Sequence, residues 1–186
     1  MNSSSQLRML VFASLLAALM TAGAYISIPM GPVPIVLQNM FVFLAGLLLG
    51  SRWGLASVGV YLLAGACGLP VFAGGMGGIG RIVGPTGGYL IGYLPAVFII
   101  GFISQKGAAR ISIDIFAMIC GTVVLYACGV TWLKALTGMQ WSKALAVGMY
   151  PFLIGDTLKI VAAAVIARGL RPIIRVAGYT QPGLVK

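Results

Sequence analysis

The chain has 186 residues, of which 60% are hydrophobic and 8% charged, against roughly 25% charged residues in an ordinary soluble domain. With about 20 apolar residues needed per membrane crossing, it has room for six helices and little else, which excludes a separate soluble catalytic domain. The net charge of +10 comes from basic residues at the ends of apolar runs, so it reports membrane topology and not nucleic-acid binding.

Breaking the chain at proline, glycine and charge predicts an all-α bundle of six transmembrane helices, forming a single integral membrane domain over residues 1–186. The spans fall at about Leu7–Ser27, Ile35–Gly50, Gly54–Leu69, Ile82–Ser104, Ile113–Lys134 and Lys143–Arg168. Arg8 before the apolar run Met9–Ala24 has the outline of a signal peptide, but a multi-spanning body follows, so it reads as an uncleaved first helix. In that helix Ala13 and Ala17, extended by Thr21, form a small-residue stripe, with Ser14, Ala18 and Ala22 on the adjacent face. Such a surface suits close contact with another helix, from this chain or from a partner. The second and third spans are short, so they must stand upright, thin the bilayer or include a broken turn. Ile28–Pro34 reads as a Pro/Gly turn, and Ala73–Arg81 as a mobile loop that is either a lid over an outward cavity or a plain linker. Within it Gly75-Met-Gly-Gly-Ile-Gly80 matches G-x-G-x-x-G, but the pattern has no physical meaning outside a βαβ unit. No internal repeat is visible, so an inverted-repeat carrier architecture finds no support.

Six spans place both termini on one side. Arg8, Arg52, Lys106, Arg110, Arg168, Arg171, Arg175 and Lys186 fall on that side, against Arg81, Lys134 and Lys143 on the other. The positive-inside rule then makes both termini cytoplasmic, in a multi-pass protein of the cell membrane. The fourth span opens with Gly84-Pro-Thr-Gly-Gly-Tyr89. Free amides at a helix start, with Thr86 and Tyr89, can hold an anionic or strongly accepting group, while Gly84, Gly88 and Gly92 form a stripe for close helix packing. Gln38, with Asn39 beside it, either bonds a neighbouring helix or contacts a ligand. Arg81 either pairs with lipid phosphate or draws an anionic ligand to the mouth. Asp114 reads as a helix N-terminal charge favoured by the dipole. Cys67, Cys120 and Cys128 lack metal or disulfide spacing and read as small packing residues.

The last span carries the sharpest signal. Asp156 and Lys159 lie three residues apart in Tyr150-Pro-Phe-Leu-Ile-Gly-Asp-Thr-Leu-Lys159, on one helix face. An ionisable pair inside a membrane segment points to function by default. The bland alternative is a structural salt bridge, but desolvation makes buried pairs poor sources of net stability. With no His, no Glu and two Asp, the chain lacks the usual proton-transfer and metal-binding set, and it has no phosphate loop. No enzymatic activity, cofactor or metal is expected.

Taken together, Gly31-Pro-Val-Pro-Ile-Val-Leu-Gln38, Gly65-Ala-Cys-Gly-Leu-Pro-Val-Phe-Ala-Gly-Gly75, Gly84-Pro-Thr-Gly-Gly-Tyr-Leu90 and Pro151-Phe-Leu-Ile-Gly-Asp-Thr-Leu-Lys159 resemble the BioY family, the biotin-specific S components of energy-coupling factor (ECF) transporters. Ile154 stands where a proline is common in that family. The resemblance implies a six-helix membrane subunit that captures biotin from outside and works with a transmembrane coupling protein and two cytoplasmic ATPases. It also implies that Ala13 and Ala17 match the surface by which S components dock on the coupling protein. Biotin offers ureido N–H donors, a carbonyl, a sulfur ring and a carboxylate tail, so a site needs acceptors, donors and apolar walls. On this reading Asp156 accepts from the ureido group, and Lys159 pairs with Asp156 and donates. Gln38, Arg81, Thr86 and Tyr89 supply further polar contacts, and Phe72 or Phe152 walls the rings. The rival readings are a stand-alone proton-coupled carrier working through Asp156, and a structural membrane subunit that binds nothing.

Overall fold

The computed structural model describes residues 3–29, 32–107 and 110–176, with the backbone alone for Ser3, Ser4, Arg175 and Val176. Gly31 of the first turn, and the topological charges Arg175 and Lys186, therefore lie outside the described side chains. The described residues are almost entirely helical: α1 Ser3–Tyr25, α2 Gln38–Ala66, the short α3 Ile79–Ile82, α4 Gly87–Lys106, α5 Ile111–Thr137, α6 Trp141–Gly148 and α7 Leu153–Val176. Prolines at 29, 32 and 34 deny helix to the segment after α1. It forms instead a two-stranded antiparallel ribbon, β1 Ser27–Ile28 and β2 Ile35–Val36, pairing Ser27 with Val36 and Ile28 with Ile35.

Five helical stretches are long and apolar enough to cross a membrane, where the sequence led us to expect six. The difference lies in α2, which contains both of the expected short spans. Gly50 breaks it with φ +77°, a left-handed conformation that glycine adopts without penalty. A Cβ at Gly54 would lie 3.2 Å from the Ala45 carbonyl oxygen, and Gln38 lies beside Tyr61. Residues equally far from Gly50 thus face each other, so the two arms, 38–49 and 51–66, run back along one another. The last expected span is also divided: α6 and a 3₁₀ turn at Tyr150–Phe152 precede α7.

The first arm of α2 is the centre of the bundle, with every residue from Val42 to Ser51 buried. Helix α4 packs along α2 on one side and α5 on the other, and α1 covers the opposite flank of α2. The Gly88 and Gly92 positions meet Trp132 and Cys128 of α5, so this stripe is a packing surface.

One end of the bundle is closed by a buried polar cluster. Arg171 of α7 donates to both oxygens of Asp114 at 2.6 and 2.8 Å, to Ser104 of α4 at 2.9 Å and to the Leu47 carbonyl at 3.3 Å. Ser104 also donates to Asp114 at 2.7 Å. Asp114 does sit in the first turn of α5, but it is more than a dipole charge: it is buried and anchors a tie among four helical segments. Arg8, Arg52, Lys106, Arg110 and Arg168 also fall toward this end, while Arg81, Lys134 and Lys143 fall toward the other.

Candidate functional site

The other end gathers the N-termini of α2, α4 and α7 and the C-terminal half of α5. Helix α7 starts just after the Pro151 turn, which sets Asp156 in its first turns and points it inward, 2% exposed. Lys159, one turn on, donates to Asp156 Oδ1 at 2.7 Å. Tyr126 of α5 donates to Asp156 Oδ2 at 2.5 Å, and Asn39 of α2 donates to Oδ1 at a longer 3.5 Å. Tyr93 of α4 in turn donates to Asn39 Oδ1 at 2.6 Å. One carboxylate thus takes donors from three helices, which offsets the cost of holding a charge away from water.

Beside this network lie two small adjoining cavities of about 50 and 40 Å³, sharing Val33, Pro34, Val36, Tyr89 and Tyr93 as walls. The first also meets Gln38, Arg81, Thr86 and Phe72, and the second meets Asn39, Tyr126, Phe152 and Asp156. The fold therefore brings Gln38, Arg81, Thr86, Tyr89 and Asp156 to one region, with Lys159 behind Asp156. Gln38 stands out among them: it is 2% exposed, and although it lies beside the Tyr61 hydroxyl its Nε2 makes no hydrogen bond of normal geometry among the described residues. A buried amide left unmatched is costly, and this one faces a cavity. Arg81 is half-buried at the same cavity, and both acidic side chains of the described residues are engaged by other cations.

Other expectations shift. The Tyr89 hydroxyl donates to the Gly148 carbonyl at 2.6 Å, so toward the cavity it offers its ring and its lone pairs. The amides of Gly87, Tyr89 and Leu90 at the start of α4 are spent on the carbonyls of Gly84 and Thr86, which weakens the reading of that helix start as an anion site. Just before the expected loop, Tyr25 and Tyr61 donate to the carbonyls of Pro70 and Val71 at 2.7 and 3.1 Å, and Phe72 pairs with Met76 inside it. Phe72 is a buried ring packed edge-on against Tyr61 with centroids 5.6 Å apart.

Ala13 and Ala17 lie on the covered face of α1, and the Ala13 carbonyl accepts from Ser57 at 2.7 Å. The exposed small-residue face is the neighbouring one, Ser14, Ala18 and Ala22. The sequence reading named Asn39 only as a neighbour of Gln38, and it missed Tyr93 and Tyr126. Tyr93 had a signal, since it follows Tyr89 by four residues and shares its helix face. A lone tyrosine in the apolar α5 carries none.

A much larger groove, about 480 Å³, opens between α5 and the α6–α7 segment and reaches Tyr126 and Asp156 from the outer side. Its walls are mostly aliphatic, whereas the inner cavities collect the converging amide, guanidinium, hydroxyl and carboxylate groups. The inner region therefore holds the converging polar groups that a site for a polar ligand needs.

The family model for the BioY family matches residues 1–176. The chain belongs to the BioY family. Relatives include the biotin transporter BioY of Thermotoga maritima, 42% identical over 165 residues that cover 89% of this chain and 96% of that protein. The biotin transporter BioY of Rhizobium etli is 40% identical over 174 residues, covering 88% of this chain and 92% of that protein. Among solved structures, the S component for biotin from an ECF-type ABC transporter superposes with a TM-score of 0.87 at 32% identity, over 92% of this chain and 95% of that one. Like other BioY proteins, this chain is a multi-pass membrane protein.

Proposed function

We propose that the protein is the biotin-binding S component of an ECF-type transporter, capturing biotin at the end of the bundle where Asp156 lies. The observation that carries this reading is the unmatched Gln38 amide facing a cavity beside a donor-rich carboxylate, in a fold shared with a biotin S component. Asp156 accepts from the ureido N–H groups, with Lys159 and Tyr126 holding the carboxylate in place. Gln38 and Arg81 donate to acceptor groups of the ligand, Thr86 and Tyr89 add polar contacts, and Phe72 and Phe152 wall the rings. The inner cavities are small beside a pocket of about 300 Å³ or more for an enclosed ligand, so the β1–β2 ribbon or the Phe72 loop moves outward to admit biotin.

Counting each antiparallel arm of α2 as a crossing supports six transmembrane segments in a single domain. The basic residues clustered at the Asp114–Arg171 end support a cytoplasmic position for that end and for both termini, in a protein of the cell membrane. A transmembrane coupling protein and two ATPases supply the energy, and the exposed Ser14, Ala18 and Ala22 face of α1 is the docking surface. No cofactor takes part.

The test is equilibrium binding of biotin to the purified protein, with Asp156→Asn and Lys159→Ala alongside. Tight binding by wild type that both folded variants lose supports the reading, and no binding by folded wild type rejects it.

A further inference from the structure

The groove between α5 and α7 meets the inner site at Tyr126 and Asp156 and is otherwise lined by residues that neither inner cavity touches. Along α5 it is lined by Ile119, Val123, Ala127 and Thr131, one helix face about 18 Å long at 1.5 Å per residue. Leu153, Thr157 and Ile160 of α7 form the facing wall, and Trp141 and Leu145 of α6 close one end. Helix α5 packs closely on α4 but only sparsely on α7, and this mismatch leaves the slot. Spread over that length, a volume of about 480 Å³ has a mean cross-section near 30 Å². That matches one hydrocarbon chain and is well short of the section of an α-helix, which is about 10–12 Å across.

The closed end carries a charge. Lys134 holds its ammonium over the Trp141 ring, 5.0 Å from the centroid, and neither acid of the described residues is available to it, since both are ion-paired elsewhere. A tryptophan beside a lysine at the end of a transmembrane helix is placed at headgroup level, where the ammonium attracts the phosphate of an anionic lipid by simple Coulomb interaction. An apolar slot of one-chain width, ending at a cation, matches a phospholipid laid along it.

We propose that this groove binds one anionic phospholipid, with an acyl chain between α5 and α7 and its phosphate at Lys134. The floor of the slot is the Tyr126–Asp156 pair, so the bound chain covers that pair from the bilayer side. A water-free cover strengthens the Tyr126–Asp156 hydrogen bond, since a low-dielectric surrounding favours a satisfied pair. The inference is independent of the identity of the ligand in the inner cavities.

The experiment uses purified full-length protein in detergent, offered equal amounts of phosphatidylglycerol and phosphatidylcholine with matched chains. Retained lipid is counted by native mass spectrometry. Wild type is expected to keep one phosphatidylglycerol with about fivefold preference, the effect of one lysine near a headgroup. Lys134→Gln should erase the preference, and Ala127→Trp or Val123→Trp, both on outward-facing positions of α5, should displace the lipid while the protein stays monodisperse. The proposal fails if folded wild type keeps both lipids alike or none. It fails equally if both tryptophan variants retain lipid as wild type does, or if Ala127→Trp splits a dimer and leaves lipid unchanged, which would make this face a contact between copies of the chain.

Discussion

At one end of the bundle Asp156 and Lys159 sit three residues apart on one helix; at the other, Asp114 and Arg171 come together from positions 57 residues apart. The distant pair is saturated on its acidic side. Both Asp114 oxygens are taken by Arg171, and Ser104 and the Leu47 carbonyl complete a tie across four helical segments. The local pair spans no helix boundary by itself. It connects to α5 and α2 through Tyr126 and Asn39, the second at 3.5 Å, and it borders a cavity. The same chemistry thus sits in two settings: one ionic pair joins remote elements into a tie, while the local pair borders a cavity, which fits the ligand role proposed for it.

The largest expected effect is at the closed end. Asp114→Ala leaves Arg171 buried without its counter-charge, a change that costs about 3–5 kcal/mol, and it should lower the thermal midpoint sharply in detergent. The fraction that stays folded should bind biotin with near wild-type affinity; a large loss of affinity with an unchanged midpoint would undo the distinction between the two ends. Asp156→Asn should do the reverse. Its biotin affinity should fall at least 100-fold, equivalent to about 2.7 kcal/mol, while stability falls less than in Asp114→Ala. Lys159 can redirect its flexible stem toward the neighbouring cavity, whereas the Arg171 guanidinium is held among three helices.

Two smaller effects sharpen the comparison. Gln38→Leu removes the unmatched amide, so the melting midpoint should hold or rise while biotin affinity drops about tenfold, near 1.4 kcal/mol. A fall in stability with full affinity would show that Gln38 is a structural side chain. Tyr126→Phe keeps the ring and deletes one charge-assisted hydrogen bond to Asp156, and titration calorimetry should report a loss of affinity of about 1.5 kcal/mol.

Most of the helices were legible because a membrane leaves few choices: backbone groups in lipid must be bonded internally, so apolar runs become helices. The Asp156–Lys159 pair was legible for a related reason, since charge in such a run is conspicuous. What stayed hidden depends on distance in sequence. Asp114 and Arg171 each look like ordinary helix-end charges, and only the packing of α7 against α2 and α5 reveals them as partners. Likewise Tyr126 is one aromatic in an apolar helix until the fold aims it at Asp156. Ala13 and Ala17 fell on the covered side of α1 because two adjacent faces of that helix are both rich in small residues, so spacing alone could not choose between them.

The smallest effect concerns the turn that lets α2 double back. After Gly50 the second arm starts with Ser51, whose amide and hydroxyl both donate to Oε1 of Gln105 at 3.3 and 3.1 Å. A helix start has backbone N–H groups without internal partners, and a side-chain oxygen that accepts from them stabilises it by about 1 kcal/mol. Here the cap comes from α4, one residue beyond Ser104 in the closed-end cluster, so it ties the turn to the same structural end. Gln105→Ala should lower stability by about that amount and leave biotin affinity unchanged, because the turn lies far along the arm from Gln38 and Asn39. Gly50→Ala should cost more, since it adds both left-handed strain and a clash with the Gln105 side chain. If Gln105→Ala instead weakened biotin binding, the turn at Gly50 would be coupled to the site along the first arm of α2, and the division of labour between the two ends would have to be redrawn.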